Sequence, residues 1–170
     1  MKIAVCGYGR CGKDTTCQWL RRNTNLNYTM STSEAAAKVV FREIGQKYAY
    51  KSVVDCWQDR HSRRPEWAEI IWKYNQPDGL TLYRDMINNG HQVINGIRKT
   101  AELHECVRAG LVDLTIWVER PGAMEGKESC QITQSDCHLT LMNDGSLEQL
   151  FSKLDYITRA WGILTSKVPY

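Results

Sequence analysis

Residues 4 to 16 read AVCGYGRCGKDTT, and this stretch fits two templates. Gly7, Gly9 and Gly12 make G-x-G-x-x-G, the turn of dinucleotide-binding folds, while Gly7 to Lys13 makes G-x-x-x-x-G-K, the start of a phosphate-binding P-loop. Both need a strand, a glycine turn and a helix whose free N–H groups face an anion. A dinucleotide fold also needs an acid about 20 residues further on, at the end of the second strand. Residues 27 to 32 read NYTMST and hold none. A P-loop needs a lysine directly after the last glycine, a compact charge set between the β- and γ-phosphates. Lys13 stands there, so the chain favours the P-loop. Asp14 takes the place of the usual Ser or Thr, whose hydroxyl coordinates Mg²⁺. A carboxylate is also a hard oxygen ligand for Mg²⁺, and an acid in a first helical turn also suits the helix dipole. Thr15 can then bond the α-phosphate, with Thr16 behind it, and Arg10 and the loop N–H groups can face the same nucleotide. Cys11 reads as a small loop residue.

Lys2 to Cys6, before the loop, is a short apolar run that reads as a buried strand. Residues 13 to 22 lack Gly and Pro and read as a helix, and Leu26 to Met30 as a weak second strand. Ser31 with Glu34 forms a capping-box pattern, followed by Ala36, Val40, Ile44 and Tyr48 on one helical face. Residues 50 to 64 have no clear period. Pro65 suits a first helical position, with Trp67, Ile70, Ile71 and Tyr74 behind it. Asp78 can cap a further helix that Gly90 stops. His91 to Asn95, Leu114 to Val118 and His138 to Met142 read as strands, with a helix over Thr100 to Ala109. Residues 119 to 136 are polar, with Pro121 and two glycines, and read as a mobile excursion. A second capping box, Ser146 with Gln149, opens a C-terminal helix whose stripe from Leu147 to Trp161 reads as core. Strands alternating with helices predict an α/β fold in three layers, with a mainly parallel five-stranded sheet flanked by helices, in one domain over residues 1 to 170.

Hydrophobic residues make up 42% of the chain and charged residues 24%, the balance of a soluble globular domain. No apolar run nears the ~20 residues that span a bilayer. Met1-Lys2 leads straight into a strand, so no signal peptide is expected. Seven cysteines without a C-x-x-C pair and four scattered histidines argue against a disulfide framework or a zinc site, and for reduced thiols in the cytosol. A net charge of +3 suits an anionic ligand without demanding nucleic acid. Nucleic acid and a homodimer stay compatible with the chain, and neither is required.

Four stretches, in order, resemble one family. GYGRCGKDTT is similar to the glycine loop of bacteriophage deoxynucleoside monophosphate kinases, members of the P-loop nucleoside and nucleotide kinase superfamily. VINGIRKTAEL (93–103) is similar to their strand-end D-x-R with an acid four residues later, here Arg98 and Glu102. WVERPG (117–122) resembles the start of their lid, and MNDGSLEQL (142–150) their last strand and final helix start. The resemblance implies a P-loop NTPase fold, ATP and Mg²⁺ as donor and cofactor, a lid over 119–136, and phosphoryl transfer to a deoxynucleoside monophosphate. It also implies that Arg98 contacts the acceptor phosphate and that Asn143 lines the adenine pocket. Residues 50 to 90 match only loosely and read as a helical acceptor-side region. Two features depart from the family. Gly96 stands where relatives carry the strand-end aspartate, which moves that duty to Asp14, Asp55 or Asp59, and the chain lacks an obvious large acceptor-binding insertion.

Phosphoryl transfer needs positioning and charge neutralisation more than covalent chemistry. Lys13, the loop and Asp14 with Mg²⁺ suit the donor. Arg98 suits the acceptor, unless it is an exposed helix-start arginine. Arg60, Arg63 and Arg64, beside Asp59 and His61, form a basic cluster that can clamp a phosphate, touch a nucleic-acid backbone or simply stay solvated. Arg120 can swing in from the lid or remain on its surface, and Asn143 can equally form the turn before Asp144-Gly145. Trp57 can stack on a base, although core packing is the simpler role. Three functions remain open: a deoxynucleoside monophosphate kinase; a kinase acting on a hydroxyl of a nucleoside or of a modified base in DNA, with Asp55 or Asp59 as base; and a nucleotide-binding protein without catalysis.

Overall fold

A computed structural model of the chain describes residues 1–28 and 30–163. Strand β1 (Ile3–Cys6) is buried along its whole length and lies inside a parallel sheet. β2 (Val93–Asn95) pairs with it on one side and β3 (Leu114–Glu119) on the other, with β4 (Leu139–Met142) outside β3. The order β2-β1-β3-β4 is parallel throughout.

Alternation along β1 sends its side chains to two cores. Ile3 and Val5 pack with Cys17 and Leu20 of α1 (Lys13–Asn23) and with Leu150 and Leu154 of α7 (Leu147–Ala160). Ala4 and Cys6 pack on the opposite face with Leu80, with Tyr83 of α5 (Thr81–Asn88) and with Leu103 and Cys106 of α6 (Thr100–Arg108). Strands covered by helices on both faces have no polar side to spare, hence the unbroken apolar runs. The three layers expected from the sequence are therefore present.

A third core is purely helical. Ala36, Val40 and Ile44 of α2 (Thr32–Ile44) meet Cys56 of α3 (Val53–Gln58), Trp67 of α4 (Arg64–Tyr74), and Leu82 and Met86 of α5. α5 joins two cores: Tyr83 faces the sheet, Leu82 and Met86 face α2. A 3₁₀ turn, Asp59–His61, links α3 to α4 and resolves the aperiodic stretch. Both predicted capping boxes form, at Ser31–Glu34 and Ser146–Gln149. Asp78 sits earlier than a cap: its carboxylate accepts from Leu80 N at 3.0 Å, and Leu80 is the cap residue of α5. No described helix is long and apolar enough to cross a membrane.

Two expectations need correction. Among the described residues the sheet has four strands, not five. Leu26 and Tyr28 are buried, as strand alternation predicts, but among the described residues main-chain pairing to β2 gathers on Asn27. The Asn27 carbonyl accepts from both Gln92 N (2.8 Å) and Val93 N (3.2 Å), while Asn27 Nδ2 donates to Gly90 O and Asn27 N donates to Gln92 Oε1, and no ladder forms among the described residues. Thr29, inside that expected strand, lies outside the described residues. The C-terminal stripe is also shorter than expected: Leu150 and Leu154 are buried, whereas Leu147 and Trp161 at its ends are exposed.

Candidate functional site

The chain leaves β1 between neighbours whose connections run to opposite sides of it. Open α/β sheets bind ligands in the crevice at such a switch point, outside the carboxyl ends of the strands. The glycine loop starts there, at Gly7, and ends at Gly12, the cap of α1. Gly12 has φ +106°, and a Cβ on it would meet the Asn143 Nδ2 at 2.5 Å, so only glycine fits. Arg10 takes a left-handed conformation without being glycine (φ +58°), and Gly7 packs against the Val118 carbonyl. No side chain caps the first turn of α1, so its dipole and first N–H groups are left to the loop and to any anion held there.

Lys13 turns back over the loop. Its Nζ donates to the Tyr8 carbonyl at 2.5 Å and lies 3.8 Å from Cys11 Sγ. Cys11 points below the loop into the core, where burial pushes its thiol pKa up against the pull of Lys13. Asn143 holds the loop from behind: its Nδ2 donates to the Cys11 carbonyl at 2.8 Å, and the side chain is buried. Thr15 is half-buried, and Thr16 is fully buried with a hydroxyl that has no hydrogen-bond partner among the described residues. Asp14 is exposed, and its Oδ1 accepts from Asn95 Nδ2 at 2.6 Å. Sequence reasoning missed Asn95. The available signal was a polar residue closing an otherwise apolar strand.

Gly96 explains the missing strand-end acid. Its φ is +112°, and a Cβ there would lie 2.3 Å from Thr32 Oγ1, which donates to the Asn95 carbonyl at 2.9 Å. An aspartate cannot occupy that backbone without moving the start of α2 or turning the Thr32 hydroxyl off the Asn95 carbonyl.

Residues 119–136 are tied down at several points. The Glu125 carbonyl accepts from Gly9 N at 2.6 Å, and its carboxylate pairs with Arg10 at 2.6 Å. Ser129 Oγ accepts from Arg98 at 2.7 Å, Gln131 N donates to the Arg98 carbonyl at 2.8 Å, and Ile132 is fully buried. Residues 125–129 thus touch both the glycine loop and Arg98. Arg120 is exposed, and its guanidinium has no partner among the described residues.

The acceptor-side candidates divide into two groups. Asp59 accepts from the Tyr50 hydroxyl (2.5 Å) and from Arg63 (3.2 Å), and Arg63 stacks on Tyr48 at 3.9 Å. The Tyr50 hydroxyl, more than Ser62 or Arg63, holds the Asp59 carboxyl below its ordinary pKa. Asp55 accepts from Lys51 N at 2.9 Å at the start of α3. These three side chains brace the helical region. Arg60, Arg64 and Arg98 form the other group, near enough for their charges to act on His61. The Arg60 charge is the main cause that holds the imidazole below its ordinary pKa, followed by burial, Arg64 and Arg98, with Glu125 opposing them. Arg60 stacks on Trp57 at 4.2 Å and donates to its carbonyl, so that ring packs against a guanidinium and the helical core. Glu102 stands apart from Arg98: it accepts from the buried Tyr83 hydroxyl at 2.9 Å and pairs with Lys99 at 3.2 Å.

The arrangement can hold one anion at the loop, with Lys13 and the start of α1, and a second among three guanidiniums. No cluster of three metal-ligating side chains exists among the described residues. Mg²⁺ does not need one, because it is commonly held by one or two carboxylates plus substrate phosphates and water. Asp14 fits that pattern: it is exposed, and its Oδ2 has no partner among the described residues. Two open hollows are lined by residues of Asp144–Lys153, directly after the loop-supporting Asn143, and of Thr133–Thr140, which begins inside 119–136. Comparison of the sequence with protein-family models gave no match, and neither did comparison with curated proteins.

Proposed function

We propose that the chain is an ATP-dependent P-loop kinase that transfers a phosphoryl group to a deoxynucleoside monophosphate, giving the diphosphate. One observation carries this: a lysine ammonium turned into a glycine loop at the sheet's switch point, with residues 125–129 linking that loop to the Arg98 guanidinium. Two polyanions must meet in such a reaction, and each finds its own cations here.

Lys13 and the N–H groups at the start of α1 bind and orient the donor phosphates. Asp14 holds Mg²⁺, which supplies further charge neutralisation when bound. Gly9 N–H and Arg10 become available to the nucleotide only when Glu125 releases them. Arg98, Arg60 and Arg64 bind the acceptor phosphate, and Arg120 enters as 119–136 closes and excludes water. A phosphate acceptor is already anionic, so no strong base is required. A hydroxyl acceptor needs a positioned carboxylate, and both candidates are engaged, Asp55 at a helix start and Asp59 with Tyr50 and Arg63. The acceptor phosphate is therefore favoured.

The test is diphosphate formation from ATP and Mg²⁺ over a panel of deoxynucleoside monophosphates, nucleosides and single-stranded DNA. Transfer to nucleosides or DNA alone would move the reading to a hydroxyl acceptor. Nucleotide binding without transfer would leave a non-catalytic protein, and a thermal shift with NAD but not ATP would return the loop to the dinucleotide class.

A further inference from the structure

The Asp14 carboxylate does not stand alone. Its Oδ1 accepts from Asn95 Nδ2 at 2.6 Å, and Asn95 is 3% exposed at the end of β2, paired in register with Val5 just before the loop. Asn95 is itself fixed. Its carbonyl accepts from Thr32 Oγ1 at 2.9 Å, and the backbone after it is set by Gly96 at φ +112°. A buried asparagine whose main chain is fixed on both sides presents its side-chain N–H to one carboxylate oxygen. The second oxygen of Asp14 has no partner among the described residues.

We propose that Asn95 is a positioning residue: it fixes the Asp14 carboxylate through Oδ1 so that Oδ2 is presented to the divalent cation of the bound nucleotide. The inference rests on the kinase reading and deepens it. The choice of side chain follows from charge. An acid at position 95 would face Asp14 as a second anion, and the pair would repel with no cation present. An amide of the same shape donates a hydrogen bond instead and leaves one ionised carboxylate, oriented before the cation arrives. Asn95 thereby takes over at the end of β2 the support that Gly96 cannot give. Such outer partners of a ligand set its orientation, and their loss typically lowers metal affinity about 10–100-fold.

The test measures binding rather than turnover. Mn²⁺ is titrated by electron paramagnetic resonance into protein saturated with ATP, and ATP binding is measured separately in excess chelator. Asn95→Ala should weaken Mn²⁺ about tenfold or more and leave chelator-state ATP affinity unchanged. Asn95→Asp, which keeps the volume, should bind Mn²⁺ more tightly than the parent and melt at a lower temperature without metal. Asp14→Ala should weaken Mn²⁺ at least as much as Asn95→Ala. If Asp14→Ala loses Mn²⁺ while both Asn95 variants keep the parent affinity, Asn95 is a structural residue and the proposal is overturned. If Asp14→Ala keeps Mn²⁺, the carboxylate is no ligand, and the proposal falls while the kinase reading survives. If the parent binds no ATP, both fall together.

Discussion

Placing an aspartate at Gly96, where the kinases that the sequence resembles carry one, should damage the protein rather than complete its site. Gly96→Asp meets two separate obstacles. A side chain at φ +112° is strained, at about 1–3 kcal/mol. Its Cβ would also sit 2.3 Å from Thr32 Oγ1, so α2 must shift or Thr32 must rotate away from the Asn95 carbonyl. Overpacking of this kind costs about 1–3 kcal/mol, and the lost hydrogen bond about 1 kcal/mol more. The expected destabilisation is about 3–7 kcal/mol. At about 2–4 °C per kcal/mol for a domain of this size, the melting temperature should fall by about 6 °C or more. Urea denaturation followed by circular dichroism measures it, with Gly96→Ala as the variant that carries the strain without the carboxylate. Adding Thr32→Ala to Gly96→Ala removes the clash but not the strain, and should recover about half of the loss. A Gly96→Asp protein within 1 kcal/mol of the parent would refute the steric account of the missing acid.

Three further outcomes follow from the geometry. The His61 imidazole, followed by NMR, should titrate below its ordinary value in the free protein and move upward in Arg60→Ala, because Arg60 is the largest cause of the depression. Since that folded pKa is depressed, stability from this group is present above the unfolded pKa and declines as pH falls through the folded one. An unchanged His61 titration in Arg60→Ala would separate the two side chains. Asn143→Ala should cost about 1–3 kcal/mol by urea denaturation, since the Cys11 carbonyl loses its buried donor; a neutral result would mean that the loop does not need its rear support. Trypsin should cut the free protein after exposed Lys127 and spare it when ATP, Mg²⁺ and acceptor are all bound; equal protection without ligand would make 119–136 fixed structure.

The sequence carried the sheet, because fully buried parallel strands leave unbroken apolar runs, and β1, β3 and both capping boxes stand where local pattern put them. It misread residues 26–30 for an equally local reason. Alternating burial of Leu26 and Tyr28 looks the same whether or not the main chain makes a ladder, and among the described residues only Asn27 carries the pairing. Within the site, the glycine loop and Lys13 were legible as a contiguous motif. The partition of residues 55–64 was not. Asp59 and Arg63 turn toward Tyr50 and Tyr48, while Arg60 lies on Trp57 and, with Arg64, acts on His61 through its charge, a division fixed by how α3, the 3₁₀ turn and α4 stack. Asn95 was hidden because its partner lies 81 residues away. Glu125 was hidden because a main-chain bridge to Gly9 leaves no signature in side-chain pattern.

The strongest test of the whole arrangement separates its two cation sets. Lys13 is folded onto the loop at the end of β1, whereas Arg98 follows β2 and is held by Ser129. If the loop binds the donor and the guanidinium cluster the acceptor, the two residues fail differently. Lys13→Ala should abolish both transfer and slow background ATP hydrolysis, because each needs the same γ-phosphate stabilisation. Arg98→Ala should lower transfer by about two to three orders of magnitude, the effect of removing one charged clamp at roughly 3–4 kcal/mol, and leave background hydrolysis nearly intact. Acceptor affinity, measured with a non-hydrolysable ATP analogue in place, should weaken in Arg98→Ala and not in Lys13→Ala. Ser129→Ala gives an internal control. It frees the Arg98 guanidinium from its lid contact without removing its charge, so acceptor affinity should hold or improve. If Arg98→Ala transfers at the parent rate, the acceptor phosphate binds elsewhere. Arg60 and Arg64, which share the field around His61, are then the residues to truncate next.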